Sequence, residues 1–156
     1  MPLQQRTMDP HAQEKLVNLI RNQRTAALGT LRPLAESTYG LVESLRPDGR
    51  AGNGAPEVSL VLFAASEDCR AFYIHISRLA HHTQNILRDA RVSLMLAEPD
   101  DGSRNAQTLA RVSLQGEAVL LQEGAYAKAQ SAYLSKFPES EMNFSLGDFG
   151  LYTIEP

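Results

Sequence analysis

Apolar and polar residues alternate through most of this chain, and the alternation gives way to helical spacing in a few segments. The stretch T-A-A-L-G-T-L, Thr25 to Leu31, reads as a strand, and Gly29 within it points to a bulge or a close backbone approach. P-E-V-S-L-V-L-F follows later, with Val58, Leu60 and Leu62 on one face and Ser59, Val61 and Phe63 on the other. The polar turn S-E-D-C-R leads into A-F-Y-I-H-I, where Phe72, Ile74 and Ile76 oppose Tyr73, His75 and Ser77. R-V-S-L-M-L from Arg91 is another strand. From Val112 to Leu121, Val112, Leu114, Ala118 and Leu120 alternate with Ser113, Gln115 and Glu117, and F-G-L-Y-T-I is the last strand.

Helical spacing predicts three further elements. Asp9-Pro10 has the form of an N-cap with proline at the first helical position, and Leu16, Val17, Leu19 and Ile20 carry an apolar stripe to about Asn22. Ser77 stands where an N-cap would open a helix of about three turns. On it Arg78, His81, Asn85 and Arg88 share one face, and Leu79, Thr83 and Ile86 another. A helix from about Glu123 to Phe137 buries Tyr126, Ala129, Tyr133 and Phe137. Between Arg32 and Ala55 the signal fades into Pro33, Pro47, Gly49, Gly52, Asn53 and Gly54, a long connection of the kind that is often functional or mobile. Tyr39 to Val42 within it could form a strand segment or a lid.

Strands that follow one another through short turns, with few strand–helix–strand alternations, predict a mainly β fold: an antiparallel barrel with peripheral helices. The 156 residues fit one domain. A net charge of -3 without a long basic run argues against nucleic acid as a principal partner. No apolar stretch approaches the roughly 20 residues of a membrane helix. The single cysteine, Cys69, fits a reducing compartment, so the expected location is cytoplasmic.

The candidate chemistry gathers at Ser77 to Asn85. A hydroxyl, a guanidinium, an imidazole and a carboxamide converge where a helix start offers free N–H groups, which favours an anion such as a phosphate; a capped, solvated helix accounts for the same residues equally well. His81 and His82 point about 100° apart on a helix and do not form a ready metal pair, so no metal is expected. No G-x-S-x-G, dinucleotide or P-loop fingerprint is present, and Glu139 and Glu141 read as solvated surface.

S-R-L-A-H-H-T-Q-N-I-L-R-D-A-R-V-S-L-M-L resembles the signature of the FMN-binding split-barrel flavoproteins of the pyridoxamine 5'-phosphate oxidase-like superfamily, nearest to its haem-utilisation and oxidase-related branch. T-A-A-L-G-T-L, P-E-V-S-L-V, the Val112 to Leu121 strand with Gly116 and D-F-G-L-Y-T-I occur in the matching order. The resemblance implies a six-stranded antiparallel split β-barrel that forms a homodimer with FMN at the subunit interface. It implies Ser77 and Arg78 on the FMN phosphate, His81 and Asn85 nearby, Ser59 along the flavin or ribityl chain, and Gln115 approaching from a facing strand. No catalytic residue is assigned.

Three departures qualify it. The Val58 to Phe63 strand carries no basic residue, and no arginine–histidine substrate region is recognisable. Haem-utilisation relatives continue past the F-x-L-Y strand, whereas this sequence stops at Pro156. The leading expectation is an FMN-dependent oxidoreductase of unassigned substrate; haem binding or degradation, with His11, His75, His81 and His82 as its histidines, and a non-catalytic flavin module are the alternatives.

Overall fold

The computed structural model describes residues 8–32 and 54–156. The strand segment or lid expected over Tyr39 to Val42 lies outside the described residues. Helix α1, Pro10–Asn22, starts as its sequence dictates: the Asp9 carboxylate accepts the Ala12 N–H at 3.3 Å and proline fills the first turn. Seven strands follow: β1 (Thr25–Arg32), β2 (Ala55–Leu62), β3 (Ala64–Ala65), β4 (Phe72–Ser77), β5 (Arg91–Ala97), β6 (Arg111–Leu120) and β7 (Phe149–Glu155). Helices α2 (His81–Arg88) and α3 (Tyr126–Lys136) and 3₁₀ segments at Ala106–Thr108 and Pro138–Ser145 complete the described chain.

All the strand pairings are antiparallel, in the order β2-β1-β5-β6-β7-β4-β3. The two edge strands, β2 and β3, are separated in sequence by Phe63 alone, so the sheet has to curl until its edges meet. That closure makes the split barrel. The strand count is seven and not six because β3, two residues long, is too short to alternate visibly.

Inside the barrel, Ala26 and Leu28 of β1, Val61 of β2, Ile74 and Ile76 of β4, and Leu94 and Leu96 of β5 pack with Tyr152 and Ile154 of β7. Leu19 and Ile20 of α1 and Ile86 of α2 join this cluster at the edges. Two glycines mark close approaches. A Cβ on Gly116 would lie 2.6 Å from the Glu155 carbonyl oxygen, and one on Gly29 would run into the Ser93 hydroxyl on the neighbouring strand. Gly29 thus answers the sequence question as a close approach, since the β1–β2 register runs through it without a bulge.

The outward face of the sheet has two parts. Tyr73 and Leu151, with Ala64, pack beneath Ala129 and Tyr133 of α3 and the following Phe137. The stripe predicted for α3 is thereby buried, with Tyr126 half-covered. Lys136 fastens α3 to α1: its ammonium donates to the Gln23 and Ile20 carbonyls at the end of α1 and stands 4.1 Å from the Phe63 ring centre. Burial pushes its pKa down to about 8. Glu139, expected to be plain surface, pairs with Arg24 at 2.6 Å while staying exposed. Over β2, β1, β5 and the first half of β6, no described helix covers the outward face.

Candidate functional site

The segment between β4 and β5 departs locally from its prediction. Ser77 ends β4 and does not cap a helix; a short turn intervenes, α2 begins at His81, and Ala80 occupies the cap position without a side-chain bond. The Ser77 hydroxyl accepts the Leu79 N–H at 3.1 Å, and the Thr83 hydroxyl donates to the Ser77 carbonyl at 2.6 Å. These bonds satisfy the polar groups that a longer helix would otherwise have used. The helix is therefore about two turns long. Arg78 precedes it, and Leu79, placed by periodicity with Thr83 and Ile86, is 81% exposed while those two are buried.

Ser77 and Arg78 are adjacent, as the phosphate reading requires, but both are engaged by the turn before β7. The Ser77 hydroxyl donates to the Asp148 carboxylate at 2.9 Å. The Arg78 N–H donates to the Asp148 carbonyl at 2.6 Å, and its guanidinium donates to the Gly147 carbonyl. A carboxylate of the chain itself stands on the hydroxyl that was expected to meet a phosphate.

Asn85 lies elsewhere. It is 4% exposed, and its amide donates to the Thr30 hydroxyl at 2.9 Å and to the Glu57 carboxylate at 3.4 Å. It ties α2 to β1 and β2. His81 is exposed on the first turn of α2. Ser59, half-buried, sits opposite Leu28 in the β1–β2 ladder. Gln115 sits opposite Ser93 and lines a groove of about 410 Å³ on the uncovered outward face.

The groove has a simple construction. Val58, Gly29, Ser93 and Gln115 are register neighbours across four strands, and the next row holds Leu60, Ala27, Met95 and Ser113. Small residues in the middle strands form a floor between larger apolar side chains. Val58 and Leu60 are 71% and 75% exposed, and Met95 is also exposed. Arg91 stands on the rim; Thr30 and Glu57, one position along from Gly29 and Val58, turn to the opposite face of the sheet, where the Asn85 amide of α2 donates to both.

Burial lowers the pKa of two histidines in different surroundings. His75 is stacked face to face on Phe144 with centres 3.7 Å apart and meets Tyr133 edge-on, and burial pushes its pKa down to about 4. Half-buried His82 is also lowered by burial, against the pull of the nearby Glu57 carboxylate, with His81 adding to the lowering. Glu57 and Ser93 carry no assigned role in the sequence, and His82 enters it only as a poor metal partner for His81 and as one of the histidines available to haem. The i, i+3 spacing of His82 and Asn85 was the available signal, because it places both on the side of α2 that meets the sheet.

A curled antiparallel sheet with a split edge, small helices at its ends and a shallow groove on the face that no described helix covers defines a split barrel. The chain belongs to the pyridoxamine 5'-phosphate oxidase family, whose model matches residues 12–154. It is 38% identical over 104 residues to a chloroplastic non-canonical haem oxygenase, HOZ, of Arabidopsis thaliana; the match covers 66% of this chain and 30% of that protein. A solved protein of unknown function from Agrobacterium tumefaciens superposes with a TM-score of 0.72 at 25% identity, over 94% of this chain and 54% of that one. HutZ, a haem storage protein of Vibrio cholerae, shares the fold with a TM-score of 0.70 at 19% identity, over 93% and 89% of the two chains. No helix among the described residues is long and apolar enough to cross a membrane.

Proposed function

We propose that this chain is a haem-binding protein that acts as a homodimer, with its cofactor in the groove on β2, β1, β5 and β6 and a second copy closing that groove. The observation that carries this reading is the groove's construction: a floor of Gly29 and Ser93 beside exposed Val58, Leu60 and Met95. A flat, largely apolar ring system is the class of ligand such a surface fits. No histidine lines the groove among the described residues, and His82 stands by Glu57, whose side chain alternates to the other face of β2 from Val58, so the groove offers the ring an apolar surface and no iron ligand of its own. Bound haem would supply iron for oxygen chemistry; the protein's part is to orient the ring and exclude water from it. The likeness to a haem oxygenase supports the same cofactor.

Titration of the purified chain with haemin tests this. A saturable shift of the Soret band is expected, weakened at least about tenfold by Val58→Asp, which sets a charge on the groove's apolar wall. A haem spectrum unchanged by the protein overturns the reading.

A second reading is favoured by the adjacent hydroxyl and guanidinium of Ser77 and Arg78 and by the family: an FMN-dependent oxidoreductase, or a non-catalytic flavin carrier, with the flavin at the same dimer interface and Ser59, His81, Asn85 and Gln115 around it. A yellow protein as purified, bleached by a nicotinamide donor, would favour the enzyme; flavin that no donor reduces would favour the carrier. In this structure the Asp148 carboxylate holds the Ser77 hydroxyl, so an FMN phosphate would have to displace it.

A further inference from the structure

We propose that Asp148 is an in-chain competitor for the anion position at Ser77–Arg78 and thereby decides which ligands the protein accepts. The proposal concerns a phosphate group alone and does not depend on haem being the cofactor. Its basis is a set of contacts across the end of the β4–β7 ladder, where Ser77 pairs with Phe149. The Asp148 carboxylate accepts from the Ser77 hydroxyl, its carbonyl accepts from the Arg78 N–H, and the Gly147 carbonyl accepts from the Arg78 guanidinium. The turn is closed by the Phe149 N–H, which donates to the Leu146 carbonyl at 3.4 Å. The Ser77 hydroxyl, the Arg78 backbone N–H and one guanidinium N–H of Arg78 are therefore engaged by residues 147 and 148.

Two consequences follow from charge. A phosphate monoester brings about -1.5 to -2 charges at neutral pH, and its approach to Ser77 sets it against the Asp148 carboxylate in a half-buried place where repulsion is poorly screened. With no basic residue on β2 to offset that repulsion, Arg78 alone faces it. The contacts also lie at the end of a ladder, where local opening needs the fewest bonds broken, so the turn can be displaced without unfolding the barrel. Asp148 thus selects against ligands anchored by a phosphate and leaves a phosphate-free ring system unaffected.

The test compares wild type with Asp148→Asn and Asp148→Ser, which keep hydrogen-bonding capacity and remove the charge. FMN and riboflavin, which differ by the phosphate, are titrated by flavin fluorescence, and inorganic phosphate is tested by thermal shift. Removing one like charge about 4 Å away is expected to tighten FMN at least about tenfold and to leave riboflavin within twofold. Phosphate should stabilise both variants and not the wild type, and Arg78→Ala in the Asp148→Asn background should abolish both gains. Circular dichroism identifies a variant that does not fold, and the other then carries the comparison. The proposal is overturned if FMN gains no more than riboflavin and phosphate acts equally on wild type and variants, or if FMN weakens. A failed haem titration leaves these outcomes untouched.

Discussion

The outward face of this sheet is apolar in two places, and the chain treats them differently. Over β4 and β7, Tyr73 and Leu151 are buried beneath Ala129, Tyr133 and Phe137, with His75 clamped between Phe144 and Tyr133. Over β2, β1 and β5, Val58, Leu60 and Met95 project outward with no described element above them. Both regions come from strands with the same alternation, so the pattern within a strand does not determine the cover. What differs is the downstream sequence: α3 carries aromatic and small residues at helical spacing, and no comparable stripe is assigned to the other region. An apolar face that no described element covers is where a partner or a planar ligand gains most.

The largest effect is expected on the covered side. Tyr133 is 2% exposed and touches Phe137, His75 and Phe144. Tyr133→Ala should therefore cost about 4 kcal/mol, read as a lowered urea midpoint, because the cavity opens beneath a helix held on both sides. An effect below about 1 kcal/mol would mean that α3 is not the lid this comparison makes it.

The next effect depends on pH and comes from the same side. Burial pushes His75 from its ordinary 6.5 down to about 4, so between those values the unfolded chain binds a proton that the folded chain does not. Stability is then full above about pH 6.5 and falls as the pH falls, by up to about 3 kcal/mol near pH 4. His75→Phe keeps an aromatic ring on Phe144 and removes the titration. The difference in stability between variant and wild type should grow in the variant's favour from pH 6.5 to 4, measured by denaturation at each pH; a constant difference would show that His75 is not held neutral.

Much of this architecture was legible because alternation and helical spacing are local signals. The boundaries of α1, β1, β4, β5 and β6 follow from residues within a few positions of one another, and Asp9-Pro10 announces the first helix by itself. The failures share a cause. Ser77 reads as an N-cap until Asp148, 71 positions away, takes its hydroxyl, and Asn85 reads as one of a polar helix face with Arg78 and His81 until Thr30, 55 positions away, receives its amide. Both partners arrive through strand order, which alternation does not encode. The candidate groove was seen only at Gln115, because its floor is made of glycine, alanine and serine, whose smallness acquires meaning when four strands stand side by side.

The smallest expected effect on folding is the sharpest test of the comparison. Leu60 and Val61 are neighbours on β2 with opposite directions: Leu60 projects from the bare face at 75% exposure, and Val61 is 5% exposed in the barrel. Leu60→Asp should leave the unfolding free energy of the monomer within about 0.5 kcal/mol of wild type, because the new charge stays in water. If the bare face is the contact between two copies, the same change should weaken the dimer by about 2 kcal/mol, roughly thirtyfold in its dissociation constant, as measured by sedimentation over a dilution series. Haem affinity should fall with dimerisation if the second copy closes the groove, and should hold if the groove binds within one chain. A Leu60→Asp protein that sediments as wild type does would leave the bare face without a partner and remove the contrast between the two regions.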